Sequence, residues 1–331
     1  MDLTAWLLRR TPVRPLVVTA PGGTWARLAV ERWSREHGWR AAHSPAEANL
    51  LVIAGPAASA LSAHLDLTWN SMPAPRARAR VQDPSDAAEA LTAAMTALCD
   101  PDLQRGDASQ AVRSGRLPQG SGEHSPSMSS CGSGMHDHGG HMTDMTMPGD
   151  VPMADRGGDR DGLKLDQLHV PLGPVLPDWP PGLVVHTTLQ GDVIQHAHVE
   201  LLGDDHSDIP LPMLAHSLDN ATRLLSVAGW PDMAVRAQRL RDEVLAGGRP
   251  VELVRWAARI RRSRMLRWLL SGVGATDHGD ALTRLYGWLN EEITPTPVNA
   301  LPALLEGAEL ATARLVVASL DLRLRTVEVH G

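Results

Sequence analysis

The densest set of potential ligands in this chain falls between Met128 and Met147. Met128, Cys131, Met135, His136, His138, His141, Met142, Met145 and Met147 recur every few residues, with Asp137 and Asp144 among them. Thioethers and thiolates favour Cu(I), and imidazoles suit Cu, Ni and Zn. Cys131, Met135, His136, His138, His141, Met142, Met145 and Met147 are therefore the candidate metal ligands, and Cu or Ni the candidate ion. The same stretch has no apolar period and is rich in Gly and Ser. It reads first as a solvated tether, because a flexible tract binds metal without fixing its geometry.

Three further places carry chemistry-bearing residues. His186, His196 and His198 fall on a predicted hairpin, and the strand period of two puts His196 and His198 on one face. No carboxylate or cysteine in the sequence pattern completes a site there, so they read as surface histidines. The segment VRWAARIRRSRMLRW carries Arg255, Arg259, Arg261, Arg262, Arg264 and Arg267, spread widely around a helix. Solvent, an acidic partner or anionic lipid suits such a surface. TAPGGTW (19–25) lies between a strand and a helix, where phosphate can bind. It lacks both GxGxxG and the GK[ST] of a P-loop, and reads as an ordinary connecting turn. The chain has no GxSxG, no HExxH and no paired-carboxylate signature.

Composition narrows the classes. The 331 residues suffice for two ordinary domains. Phe is absent, Tyr occurs once and Trp ten times, so packing must rest on Leu, Val, Ala and Trp. A net charge of −7 excludes the basic footprint of a general nucleic-acid binder. No apolar run approaches the ~20 residues that span a bilayer, and the first residues lack the pattern of a secretion signal. A cytoplasmic setting is expected. Cys99 and Cys131 are the only cysteines, too few for a disulfide framework or for four thiolates around an iron–sulfur cluster.

The elements fall into three zones. Residues 1–100 alternate strands and helices, which predicts a small parallel sheet covered by helices. The strands are 15–20, 49–55 and 78–82; the helices lie at 24–38, after Gly55, and at 83–100 with Ser85 or Asp86 as N-cap. Residues 101–162 read as a flexible Gly/Ser/His/Met-rich linker. Residues 163–331 are predicted to form a short antiparallel sheet packed on a helical bundle. Three strands, 163–173, 182–189 and 192–201, turn through Gln190-Gly191. Helices follow at 212–229, 231–246, 250–272, 278–292 and 301–318, the last running into a strand. The start of the chain, with Leu3, Trp6, Leu7 and Leu8 beside Arg9, Arg10 and Arg14, suits either a membrane interface or a first core helix.

Specific stretches resemble a known family. HGWRAAHSPAEANLLVIAGPAASALSAHLDLTWNSMPAPRARARV (37–81) is similar to the B subunit of bacterial NADH-quinone oxidoreductase, which is shared with membrane-bound nickel–iron hydrogenases. The marks are Ser44-Pro45, Ala48-Asn49, Ala54-Gly55 and Met72-Pro73-Ala74-Pro75. VQDPSDAAEALTAAMTAL (81–98) resembles the closing turn and helix of that family. LGPVLPDWPPGLVVHTTLQGDVI (172–194) and VNALPALLEGAELATARLVVASLDLRLRTVEV (298–329) are similar to the opening hairpin and closing stretch of the D subunit. The resemblance covers about half the chain.

The departures matter as much. The resemblance implies a cluster held by thiolates, yet the corresponding turns read Thr19-Ala20-Pro21-Gly22-Gly23 and Gln82-Asp83-Pro84-Ser85. The central cysteine-bearing loop is missing, and no iron–sulfur cluster is expected. The D family places a His in the loop at the quinone headgroup; here the loop is Pro174-Val175-Leu176-Pro177-Asp178-Trp179. Any quinone contact would fall on Pro174, Leu176 and Trp179. The expectation is a fused, non-catalytic structural or coupling subunit, with no catalytic residues of its own. It would be peripheral on the inner face of the membrane, beside complex I-like or antiporter-like membrane subunits. The alternatives are a Cu- or Ni-handling protein, and a quinone-site subunit that uses a redox centre from a partner chain.

Overall fold

The computed structural model describes residue 8 and residues 10–56, 58–113, 155–158, 164–203 and 209–324. The His/Met tract, with all eight of its candidate ligands, lies outside the described residues, as do Leu3, Trp6, Leu7 and Arg9.

The N-terminal half is built on three parallel strands, β1 (Pro15–Thr19), β2 (Leu50–Ala54) and β3 (Ala77–Val81), in that order. All five residues of β2 are buried because helices cover both faces of this central strand. Leu50, Val52 and Ala54 point to one side, toward helices α1 (Thr24–Glu36) and α3 (Ala87–Leu98). Leu51 and Ile53 point to the other, toward α2 (Ser62–Ser71). The edge strand β3 alternates instead: Ala77, Ala79 and Val81 are buried while Arg78 and Arg80 face out. Asp86 stands at the N-cap position of α3, at the end of a 3-10 turn, Pro84–Asp86, that follows Asp83, and its carboxylate accepts a hydrogen bond from the Asp83 N–H at 3.1 Å.

The linker does not begin at 101. Pro101–Arg113 is a further helix, α4. It is held to the sheet by polar contacts: Gln104 bonds both the N–H and the carbonyl of Arg76, and Asp107 pairs with the Arg76 guanidinium at 2.8 Å.

The C-terminal half carries a four-stranded antiparallel sheet in chain order. β5 (Lys164–Leu172), β6 (Leu183–Gln190) and β7 (Val193–Leu201) occupy the predicted positions, and β4 (Asp155–Gly158) adds a strand inside the stretch read as linker. Gln190 pairs with Val193, so the hairpin turns on Gly191-Asp192, one residue later than expected, with Gly191 at φ +64°.

Behind the sheet lie helices α5 (Met213–Val227), α6 (Pro231–Leu245), α7 (Leu253–Arg262), α8 (Arg264–Leu270), α9 (Ala281–Trp288), α10 (Leu301–Leu305) and α11 (Leu310–Ser319). The inner sheet face, Leu183, Val185, Leu189 and Ile194, packs on Leu301, Leu305, Val316 and Val317. A second core joins Leu224, Leu225, Met233, Trp256, Ile260, Leu285 and Trp288. Two predicted helices are each broken in two. Ser263 adopts an extended conformation between α7 and α8, and its hydroxyl caps α8 by accepting from the Leu266 N–H. Extended backbone at Glu306 ends α10, and α11 restarts at Leu310. The last three-residue strand, β9 (Asp321–Arg323), pairs in parallel with β8 (Pro295–Pro297).

Candidate functional site

Open parallel sheets bind ligands outside the carboxyl ends of their strands. In this protein that place is filled by the second half of the chain. The turn after β1 presses against the turn after β2: a methyl group at Gly23 would collide with the Ala54 carbonyl oxygen and stand 2.8 Å from the Gly55 Cα. Pro21, at the tip, rests on the backbone of the other half, where a methyl at Gly182 or Gly203 would come within 3.0 or 3.1 Å of its Cγ. Val175 and Leu202 pack on the same N-terminal core cluster, and the Trp25 indole donates to the Ile209 carbonyl at 2.8 Å. The residues of this turn do not fit an iron–sulfur cluster: they offer no thiolate, and backbone occupies the space around Gly23. Among the described residues the one cysteine is Cys99, half-buried at the end of α3, with its Sγ 4.0 Å from the Leu8 carbonyl. Leu8 itself is buried.

Beside this contact, charges close a ring across the junction. Residues at i, i+4 and i+8 of α1 line one helix face: Arg27, Glu31 and Arg35. Arg27 reaches Glu31 at 2.6 Å and Asp219 of α5 at 2.7 Å. Arg241 of α6 reaches the second oxygens of the same two carboxylates, Asp219 at 2.6 Å and Glu31 at 2.8 Å. Each carboxylate thus bridges the same two guanidiniums. Arg35 pairs with Asp242, and Gln238 bonds both Arg35 and Glu31. Arg241 is fully buried. Burial alone pulls Arg27 and Arg241 down, but the two carboxylates outweigh it and both stay firmly charged. Burial alone lifts Glu31 and Asp219, yet the guanidiniums hold both below the usual carboxylate range. Arg35 and Arg223 are lowered, chiefly by desolvation. Within the ring the guanidiniums of Arg27, Arg35 and Arg241 are matched by the carboxylates of Glu31, Asp219 and Asp242.

The loop assigned to quinone packs inward. Trp179 is buried, its indole donates to the Leu183 carbonyl at 2.8 Å, and Leu176 packs on the same core. Pro174 is buried behind a cis peptide bond. Asp178, at φ +58°, accepts a hydrogen bond from the Ser226 hydroxyl at 2.6 Å. Desolvation raises its pKa, against the lowering effect of Ser226.

The three hairpin histidines come together on the outer sheet face, joined by His169 of β5. His186 pairs across the strands with His198, their rings 6.3 Å apart, and Thr188 pairs with His196. The sequence reading missed a carboxylate here: Glu200 lies 2.7 Å from His186. The signal was present, since Glu200 shares the period-two face of His196 and His198. Among the described residues, no group of three His, Cys, Asp or Glu is placed to hold a metal ion. None of their helices is long and apolar enough to cross a membrane.

Comparison with protein-family models, with curated proteins and with solved structures returns no match.

Proposed function

We propose that this chain is a structural and coupling subunit of a membrane oxidoreductase complex related to NADH-quinone oxidoreductase. It joins counterparts of the B and D subunits in one polypeptide and lacks the iron-holding thiolates of the first. The observation that supports this reading most is the junction itself. At the carboxyl ends of β1 and β2, where a working redox subunit needs space and ligands, Gly23 and Gly55 press backbone against backbone, and Pro21 is covered by Gly182 and Gly203 of the other half. What persists is docking: a matched ionic ring and apolar contacts. In this reading the chain sits on the inner face of the membrane, against complex I-like or antiporter-like subunits.

The test is purification of the tagged chain from native membranes in mild detergent. Stoichiometric co-elution with multi-span subunits, and a colourless isolated chain, are expected. An iron–sulfur centre bound stoichiometrically by the isolated chain, or recovery of the chain free of membrane subunits, overturns the proposal. Replacing His136, His138 and His141 with Ala separates this role from metal handling: a subunit tolerates the change, whereas a Cu or Ni carrier loses its phenotype.

A further inference from the structure

The segment from Arg249 to Trp268 holds seven arginines and one carboxylate, Glu252, in a chain of net charge −7. Helices α7 and α8 turn their apolar stripes, Trp256, Ala257, Ile260, Leu266 and Leu270, into the bundle. Their outward residues are of two kinds. Arg255, Arg259 and Arg262, at i, i+4 and i+7, line an open basin of about 420 Å³ with Trp230 and Ser263. Arg259 stands 5.7 Å from the centre of the Trp230 ring. Among the described residues, Arg255, Arg259, Arg262 and Arg264 pair with no carboxylate, unlike Arg27, Arg35, Arg76 and Arg241. Interleaved with them are large apolar side chains left in water: Val254 is 76% exposed, Met265 72% and Trp268 78%.

Unpaired cations attract anionic headgroups, and exposed Val, Met and Trp gain free energy only by leaving water. The combination differs from a nucleic-acid footprint, which does not need the apolar anchors, and from a solvated charged face, which does not expose Trp beside Met. Trp also prefers the headgroup level of a bilayer, where its ring is apolar-bound and its N–H remains hydrated. We propose that α7 and α8 form a membrane-docking surface for anionic phospholipid. The guanidiniums of Arg255, Arg259 and Arg262 meet the phosphates, while Val254, Met265 and Trp268 enter the boundary between headgroups and acyl chains. The inference rests on the subunit reading only for why a bilayer is near; it names the surface of this chain that would touch it.

The full chain is to be sedimented with phosphatidylcholine vesicles, with and without phosphatidylglycerol, at low and at physiological salt. Binding only to the anionic vesicles, weakened by salt, is expected. Arg255→Gln, Arg259→Gln and Arg262→Gln together should weaken it about 100-fold, at a contribution of roughly five-fold per cation. Trp268→Ser should weaken it about ten-fold through lost apolar burial. Arg236→Gln with Arg239→Gln, exposed on α6, should leave it unchanged. Brominated acyl chains should quench tryptophan fluorescence in the wild type and much less in Trp268→Tyr. These side chains are exposed, and thermal melts superimposable on wild type check that each variant is folded. Failure to bind anionic vesicles at low salt overturns the inference, as does binding that survives the triple arginine variant. Arginine-dependent binding to polyglutamate without binding to vesicles overturns it too, in favour of an acidic protein. None of these results touches the co-purification that decides the subunit reading.

Discussion

Arg241 Nη2 lies 2.8 Å from Glu31 Oε2, although 210 positions separate the two residues. The contact links the parallel-sheet half to the helical half at a fully buried guanidinium. Removing one member of such a ring leaves its partners charged and unmatched, which costs more than the intact ring contributes. Arg241→Ala should therefore lower unfolding stability by about 3–5 kcal/mol. Arg239→Ala, exposed on the same helix, should stay within about 0.5 kcal/mol. Urea unfolding of both variants decides. A mild effect of Arg241→Ala would show that the halves do not depend on the ring.

The same ring sets an acid limit. Glu31 and Asp219 titrate below their unfolded values, so the unfolded chain binds more protons in acid than the folded one does. Their stabilisation is complete above the ordinary carboxylate range, about pH 4, and is lost as pH falls toward the depressed folded values. Stability measured at decreasing pH should fall more steeply in the wild type than in Glu31→Gln. The two slopes become equal if the carboxylate is not held ionised by Arg27 and Arg241.

Gly23 and Gly106 should respond oppositely to alanine. At Gly23 a methyl group meets the Ala54 carbonyl and the Gly55 backbone, neither of which is a flexible side-chain end. Gly23→Ala should cost on the order of 1–3 kcal/mol by forcing the two turns apart. At Gly106, an exposed position within α4, nothing lies within 4 Å of the added methyl. Gly106→Ala should stabilise by up to about 1 kcal/mol through helix propensity. Paired thermal melts test both. A neutral Gly23→Ala would mean that the junction has room the backbone contacts deny.

Much of this architecture was legible in the sequence, and the reasons are local. PLVVT and LLVIA read as strands because β-branched and apolar runs between turn residues suit a sheet covered on both faces. Pro231 and the Gly247-Gly248 pair marked the limits of α6. Helix α4 was missed because PDLQRGDASQAVR has little apolar surface; its anchors, Gln104 and Asp107, act on Arg76, about 30 positions away. The break at Ser263 was missed because the apolar pattern runs straight through it, although Ser before Arg-Met-Leu is an N-cap signal. The junction was the least legible part. Arg27, Glu31, Asp219 and Arg241 look like ordinary surface charges until the fold brings them together, and no local period carries that information.

His216 on α5 ties down the end of the described chain. Its Nε2 lies 2.8 Å from Asp321 Oδ1, and Asn220 donates to the same oxygen at 3.2 Å. The Asp321 hydrogen bond raises the His216 pKa in spite of partial burial. Burial would lift Asp321, but His216 and Asn220 hold it low. The signs give a window. The histidine contribution is complete below its unfolded value of about 6.5 and fades as pH rises through the higher folded value. The aspartate contribution is complete above its unfolded value of about 4 and fades in acid. Because the imidazole is over a third exposed, solvent screening limits the pair to about 1 kcal/mol or less. Stability of the wild type over His216→Gln should therefore be greatest near pH about 5 to 6, between the two unfolded values, and shrink on either side. A difference that persists undiminished at alkaline pH would assign His216 a packing role and remove charge from the account of how β9 is held to α5.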